Sequence, residues 1–197
     1  MVKTEKNTKE LILEKTIEMI HLKGVQDTSI NELCQVTGIS KGGIFFYFKN
    51  KQELVMEALK YYENKFLKFI EDNLVGDTAF DKLYSLFNQI ILLHHSRNFK
   101  GGCVLGNSAL ELADKDEDVS EVLKGIFYKW SKTISNILSE GVKKGEISDE
   151  IDSDSLAFSI ISAVEGGIML SKLNKNSYYL INAIKLVVNQ LESIRRQ

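Results

Sequence analysis

Apolar residues recur at helical spacing along almost the whole chain. Near the N-terminus Leu13, Thr16, Ile17 and Ile20 repeat every three or four positions, and the repeat stops at Lys23-Gly24. No segment shows a convincing strand pattern. The spacing therefore predicts an all-α fold of about nine helices.

Local start and stop signals divide the pattern into helices. Ser29 and Glu32 match an S-x-x-E capping box, which predicts a second helix that ends at Thr37-Gly38. Ser40 is the expected N-cap of a short third helix over 41–48. The remaining helices are predicted at about 52–73, 78–95, 104–113, 119–144, 153–173 and 177–195.

Composition fits a globular protein. The 197 residues include 25 Lys and Arg against 27 Asp and Glu, 44% hydrophobic residues and no proline. A net charge of -2 excludes a uniformly positive protein but leaves room for a local basic face. The polar N-terminus does not resemble a secretory leader, and no membrane-spanning stretch is expected, so we expect a cytoplasmic protein.

The sequence predicts no metal site, cofactor or enzyme active site. Cys34 and Cys103 are far apart and form no CxxC or Cys/His cluster. His94 and His95 are adjacent and would point to different sides of a helix. We find no nucleotide-binding loop, nucleophile motif or HExxH motif.

The first 50 or so residues have the layout of a three-helix DNA-binding unit. Two short helices flank Thr37-Gly38-Ile39, and the second begins Ser40-Lys41-Gly42-Gly43. In a helix-turn-helix this second helix enters the major groove, where its first residues meet base edges. The glycines would let the backbone approach DNA closely, or they are simply flexible residues at a helix start.

Charge and aromatic residues favour the DNA-binding interpretation. From Leu33 to Gln52 there is no Asp or Glu, whereas Lys41, Lys49 and Lys51 fall inside this stretch. Such a stretch is typical of a phosphate-facing surface, although charge runs are commonly just solvated. The run Ile44-Phe45-Phe46-Tyr47-Phe48 cannot pack entirely into a core at helical spacing, and Tyr47 could offer its hydroxyl to a phosphate.

These residues, together with Gly24 and Thr28-Ser29-Ile30, resemble the TetR/AcrR family of transcriptional regulators over about residues 11–54. The resemblance implies a homodimeric repressor that leaves its operator DNA when a small-molecule inducer binds. It also implies a DNA-binding domain over residues 1–51, with the helix-turn-helix at about 29–48, and a helical ligand-binding and dimerisation domain over 52–197.

Carried over by position, the resemblance implies a set of DNA contacts. Phe45 stands where the family often has Tyr, and it cannot donate the corresponding hydrogen bond to a phosphate. Cys34 stands where the family usually has a small residue, so we expect a buried packing thiol. The implied contacts are Thr28 or Ser29 on phosphate, Ser40, Lys41, Gly42 and Gly43 in the major groove, Phe45 beside them, and Tyr47 and Lys51 on phosphates.

The last two predicted helices carry broad apolar stripes. The resemblance favours a two-fold interface between subunits, with Gly166-Gly167 allowing helices to approach closely. The alternative is that both stripes are buried inside one subunit. The predicted interface residues are Leu156, Ile160, Val164, Gly167, Ile184, Val187, Val188 and Leu191.

The string Gly101-Gly102-Cys103-Val104-Leu105-Gly106-Asn107 resembles a G-C-x-x-G-N signature of NemR-type regulators, a subgroup that responds to reactive electrophiles. Cys103 would lie at a helix N-terminus, where the helix dipole favours a thiolate, so it is either a sensor or a buried packing residue. The other candidate ligand contacts are Asn88, Leu92, His95, Asn107, Phe127 and Trp130.

The sequence thus predicts a ligand-responsive DNA-binding regulator whose partners are double-stranded operator DNA, a small-molecule inducer and a second copy of the chain. No membrane partner is expected. The alternative is a helical interaction protein without sequence-specific DNA binding.

Overall fold

The chain is all-α, as predicted. A computed structural model describes residues 5–196, and within these residues it contains nine α-helices joined by short turns. The helices are α1 (Glu5–Lys23), α2 (Ile30–Thr37), α3 (Lys41–Tyr47), α4 (Lys51–Asp72), α5 (Ala79–Ser96), α6 (Val104–Leu112), α7 (Glu117–Lys143), α8 (Ser153–Asn174) and α9 (Tyr178–Ser193).

Short polar side chains begin many of these helices. Ser29 and Ser40 accept hydrogen bonds from the backbone N–H groups of Glu32 and Gly43, and Thr78 forms a full capping box with Asp81. The box predicted at Ser29 is only half formed, because the Glu32 carboxylate pairs with the Lys23 ammonium instead. Each cap satisfies an otherwise unpaired helix N–H and so fixes where the helix begins.

The chain divides into two compact units. One contains the residues up to Phe66 together with Cys103–Gly125, and the other contains Leu67–Gly102 and the residues from Ile126 onward. Helix α6 packs against α1 within the first unit, and the domain boundary between residues 51 and 52 stays a prediction. The core of the first unit includes the fully buried side chains of Ile12, Ile20, Leu33, Ile44, Phe48 and Leu54.

The second unit is built around the antiparallel pair α8 and α9. Gly167 faces α9 so closely that a Cβ atom there would lie 2.8 Å from the Ala183 Cβ. One face of each helix is buried in this unit: Ala157, Ile160, Ile161, Val164 and Ile168 of α8, and Leu180, Ile184, Val187 and Leu191 of α9.

Helix α8 is also long and apolar enough to cross a membrane by length and composition, which we did not expect from the sequence. The core helix of a soluble protein meets the same criterion. In the 18-residue window concerned, 39% of the residues are buried inside the chain.

The end of the described chain is fastened to the rest of the second unit. Ser148 N–H donates to the Ile194 carbonyl at 2.9 Å, and Arg196 N–H donates to the Glu146 carbonyl at 3.0 Å. The Tyr84 hydroxyl donates to the Glu192 carboxylate at 2.6 Å, and the Arg195 guanidinium lies 3.8 Å from the centre of the Phe80 ring. These contacts join α9 to α5 and to the α7–α8 connection.

Candidate DNA-binding site

Hydrogen bonds fix the conformation of the turn between α2 and α3. Gly38 adopts a left-handed conformation with φ 70°, and its N–H donates to the Cys34 carbonyl at 2.9 Å. The Thr37 hydroxyl donates to the Leu33 carbonyl at 2.6 Å and accepts from the Ile39 N–H at 3.2 Å. Ser40 then caps α3, so the two helices are joined with the short spacing of a helix-turn-helix.

The N-terminal part of α3 is exposed. Ser40, Lys41 and Gly42 all lie on the surface, and the Lys41 ammonium is 5.9 Å from the centre of the Phe45 ring. A Cβ atom at Gly42 would meet nothing within 4 Å, whereas one at Gly43 would lie 2.8 Å from the Ile39 side chain. Gly42 therefore leaves the surface open, and a side chain at Gly43 would require the Ile39 side chain to shift.

The aromatic run divides between core and surface, as the sequence predicted. Ile44 and Phe48 are buried and anchor α3, while Phe45 is 37% and Phe46 74% exposed. Tyr47 is half-buried, with its ring edge-on to that of Phe46 at 5.1 Å. Sequence reasoning did not single out Phe46, although the four-residue spacing of Ile44 and Phe48 places it on the opposite face.

Thr28 and Lys51, two of the implied phosphate contacts, form hydrogen bonds within the chain. Thr28 is buried and its hydroxyl donates to the Gly24 carbonyl at 2.7 Å, which leaves Ser29 as the exposed residue of that pair. The Lys51 ammonium donates to the Gln26 carbonyl at 3.0 Å, and its partial burial lowers its pKa. Lys51 is therefore engaged within the chain, whereas Lys49 is exposed.

The two cysteines lie in different settings. Cys103 is the N-cap of α6, as predicted, and its sulfur accepts the Gly106 N–H at 3.4 Å. Cys103 and the neighbouring Asn107 are both half-buried. Cys34 was expected to be buried but is only half-buried, because α2 turns this side of the helix partly toward solvent.

The candidate ligand residues differ in their surroundings. Asn88, Leu92 and His95 share one face of α5, which is exposed, and Leu92 is 59% accessible, so their role as ligand contacts stays a prediction. Trp130 is buried and stacks on the half-buried Phe127 with ring centres 5.9 Å apart. Within residues 5–196, no group of three His, Cys, Asp or Glu side chains is placed to bind a metal ion.

Most of the predicted interface residues are buried inside the chain itself. Ile160, Val164, Gly167, Ile184, Val187 and Leu191 face the packed seam of α8 and α9, while Leu156 and Val188 are half-buried. These six residues pack within the chain, and their assignment to a subunit interface stays a prediction. The large apolar side chains left exposed on these two helices are Phe158, Met169, Leu170, Leu173, Tyr178 and Leu186.

Comparisons with known proteins agree with the helix-turn-helix. Residues 12–58 match the domain described as bacterial regulatory proteins, tetR family, and residues 79–187 match the tetracyclin repressor-like C-terminal domain. An uncharacterized HTH-type transcriptional regulator from the lacX 3' region of Lactococcus lactis is 26% identical, over 96% of this chain and 95% of that protein.

Solved structures share the fold. A TetR transcriptional regulator from Chloroflexus aurantiacus has a TM-score of 0.91 and 25% identity, over 100% of both chains. The reduced form of NemR from E. coli has a TM-score of 0.86 at 16% identity, over 96% of this chain and 97% of that one, which shows a common fold alone. With the domain matches spanning both the helix-turn-helix and most of the C-terminal helices, this chain belongs to the TetR family of DNA-binding transcriptional regulators.

Proposed function

We propose that this chain is a homodimeric repressor that binds a palindromic operator in the cytoplasm and is released by a small-molecule inducer. The observation that carries the proposal is the exposed start of α3, where Ser40, Lys41 and Gly42 face solvent on a rigidly anchored helix. Ile44 and Phe48 fix the opposite side of this helix in the core. A short helix presented in this way fits the major groove, with its N-terminal residues near base edges.

Contacts to phosphate complete the proposed interface. Ser29, Tyr47 and Lys49 lie before, within and after the exposed part of α3 and carry groups that can donate to phosphate oxygens. Such contacts set the position of the protein on DNA, while Lys41 and the open surface at Gly42 supply base contacts. The two Phe side chains, Phe45 and Phe46, add an apolar edge beside Lys41.

The outward face of α8 and α9 supports dimerisation. Phe158, Ser162, Gly166, Met169 and Leu173 fall on one side of α8 at helical spacing, opposite its buried seam. The Gly166 position is open, since a Cβ atom there would meet nothing within 4 Å. A groove of about 340 Å³ runs along the outside of α8 and α9, lined by Leu156, Ala163 and Leu186 among others. Two copies joined along this face would present two α3 helices to two half-sites.

A mobility-shift assay tests the DNA-binding part of the proposal. The probe is duplex DNA from the region upstream of the protein's own gene, with Lys41→Ala as the test variant and Lys68→Ala as a matched control, because Lys68 is exposed and pairs with Asp72 on α4. Lys41→Ala should weaken specific binding by about tenfold or more, as expected for loss of a base contact, and Lys68→Ala should not. Unchanged affinity of Lys41→Ala at moderate salt would remove α3 from the interface.

The same assay separates the proposal from the alternative function. A helical interaction protein would show no preference for the upstream duplex over an unrelated duplex of equal length at moderate salt. A specific repressor binds the upstream duplex more tightly, and the preference persists when unlabelled unrelated DNA is added as competitor.

We assign Cys103 the role of inducer sensor as the finer part of this proposal. Its place as the N-cap of α6, with the sulfur accepting the Gly106 N–H, suits a reactive thiol at a helix start. Modification by an electrophile would add bulk at this cap and disturb the start of α6. The alternative is a reversible inducer, with Cys103 as a packing residue.

The sensor role is tested with Cys103→Ser and, as its control, Cys34→Ser. Both variants should bind operator as the wild type does before treatment. After addition of a quinone, an aldehyde or hypochlorite, wild type and Cys34→Ser should leave the DNA and Cys103→Ser should stay bound. Release of Cys103→Ser as readily as wild type would eliminate the covalent route and favour the reversible inducer.

A further inference from the structure

One carboxylate of α6 binds the backbone of the turn between α1 and α2, at residues 24–27. The N–H groups of Val25 and Gln26 both donate to the Glu111 carboxylate, at 2.8 and 3.1 Å. Glu111 lies in the last turn of α6 and reaches across to a segment 86 residues earlier in the chain. Both segments belong to the same compact unit. Two hydrogen bonds donated by backbone N–H groups to a charged oxygen are stronger than neutral hydrogen bonds of the same geometry.

Gly24 has the backbone conformation and the free space that this contact needs. Its φ of 87° is left-handed, and a Cβ atom at this position would overlap the Glu111 carboxylate. Glycine therefore meets two requirements at once: the backbone conformation that ends α1 and the space that the carboxylate occupies. The lack of a side chain at Gly24 thus leaves room for the Glu111 carboxylate.

A side chain of α4 also forms a hydrogen bond with this turn. The Lys51 ammonium donates to the Gln26 carbonyl at 3.0 Å, so the peptide groups around Gln26 are bonded to α6 on one side and to α4 on the other. Beside this contact lies a cavity of about 230 Å³, lined by Val25, Val55, Leu112, Val119 and four polar residues. Hydrogen bonds to two different helices therefore hold the turn.

The position of the turn determines the position of the DNA-binding helices. Ser29, directly after the turn, caps α2, and the Lys23 ammonium pairs with Glu32 across it. Helix α2 leads through the tight Gly38 turn into α3. We infer that Glu111 is a positioning residue for DNA binding, whose carboxylate holds the α1–α2 turn so that α2 and α3 meet DNA correctly. This inference rests on the proposed function, because it requires α3 to bind DNA.

Helix α6 carries both Glu111, which accepts these hydrogen bonds, and the proposed sensor Cys103 at its N-cap. Cys103 caps its N-terminus and Glu111 lies eight residues later, a separation of about 12 Å along one helix. Because Cys103 and Glu111 lie on the same helix, a displacement of α6 at Cys103 would also shift the Glu111 carboxylate. The two N–H bonds would then be strained or broken, and the turn would lose one of its two supports.

The test compares Glu111→Ala with Glu111→Gln, and uses Glu121→Ala as a control, because Glu121 is exposed and pairs only with Lys124 among its described contacts. The amide oxygen of Gln can still accept both N–H bonds, so Gln should keep operator affinity within about threefold of wild type, whereas Ala should lose about tenfold or more. Hydrogen exchange at the Val25 and Gln26 amides should accelerate in Glu111→Ala alone, with exchange in α8 and α9 unchanged.

A double-mutant cycle with Gly24→Ala tests the contact directly. Gly24→Ala should weaken operator binding less in the Glu111→Ala background than in wild type, because the overlapping carboxylate is then absent. Wild-type binding of operator by Glu111→Ala, equal losses for Ala and Gln, or unchanged exchange at Val25 and Gln26 would overturn the inference. Failure of the wild type to bind any specific duplex would instead overturn the proposed function, and the exchange measurement needs no DNA.

Discussion

The three lysines of the acid-free stretch differ in their surroundings, and at the scale of single residues this difference sets what each can do. Lys41 lies against the Phe45 ring on the exposed side of α3, Lys49 projects from the surface, and Lys51 is bonded to the Gln26 carbonyl. Equal charge therefore does not mean an equal role. Lys49 is the residue of this group best placed to neutralise a phosphate without sequence preference.

Lys49→Ala is expected to weaken binding to operator and to unrelated DNA by similar factors. Loss of one phosphate contact should reduce the slope of log affinity against log salt concentration by about one. Anisotropy titrations across a salt series measure the slope, with Lys60→Ala as a control on α4. A changed sequence preference with an unaltered slope would place Lys49 on bases instead of phosphates.

The Glu192 carboxylate predicts a specific dependence of stability on pH. Hydrogen bonds from Tyr84 and then from Arg195 lower the pKa of Glu192, so the ionised form is favoured in the folded state. This contribution is complete above the usual pKa of a glutamate and is lost as pH falls through the lowered value. Glu192→Gln should therefore lower the Tm at pH 7, and the difference from wild type should shrink in acid.

Thermal unfolding of both proteins between pH 3 and pH 7 measures this effect, with Glu121→Gln as an exposed control. Burial of Tyr84, and then its hydrogen bond to Glu192, raise the pKa of Tyr84 to about 12. A Tm difference for Glu192→Gln that stays constant across the acid range would show that the carboxylate is not stabilised by these partners.

Helix caps act at the scale of the element, and the N-cap positions of α5 and α9 allow a direct comparison. Thr78 accepts the Asp81 N–H and completes a capping box at α5, whereas Ser177 at α9 makes no side-chain cap hydrogen bond. Thr78→Ala should lower the free energy of unfolding by about 1 kcal/mol. Ser177→Ala should change it by less than about 0.5 kcal/mol. Urea denaturation measures both, and equal losses would contradict the cap geometry.

Helix positions were predictable because caps and stops are local signals. Ser40 before Lys41 and Gly38 after Thr37 act within a few residues, so α2 and α3 begin and end close to where the sequence places them. The buried face of α8 was not predictable in the same way. Both of its faces are apolar, and a stripe such as Ile160 and Val164 fits a seam within the chain as well as a subunit interface. Contacts such as Glu111 with Val25 leave no sequence signal, because no local spacing links their positions.

At the scale of the whole molecule, substitutions at the adjacent residues Gly166 and Gly167 of α8 should affect association and folding separately. Gly167→Leu should prevent α8 and α9 from packing, because a Cβ atom there would lie 2.8 Å from the Ala183 Cβ and 3.0 Å from the Leu180 Cα. Gly166→Leu meets open space in its own chain and should fold normally. On the proposed dimer face, however, its side chain would hold two copies apart.

Circular dichroism and sedimentation distinguish these outcomes. Gly166→Leu should keep the wild-type helix content and Tm but sediment as a monomer, while Gly167→Leu should be poorly folded or insoluble. A Gly166→Leu protein that remains dimeric would place the interface on another surface of the chain.

The contacts that residues 194–196 make with the rest of the second unit have a genetic consequence. A stop codon at position 194 deletes the backbone partners of Ser148 and Glu146 together with the Arg195 contact on Phe80. Two separate segments of the second unit, α5 and the α7–α8 connection, would each lose a partner. Such nonsense alleles should therefore behave as loss-of-function alleles, which for a repressor means constitutive expression of its target genes.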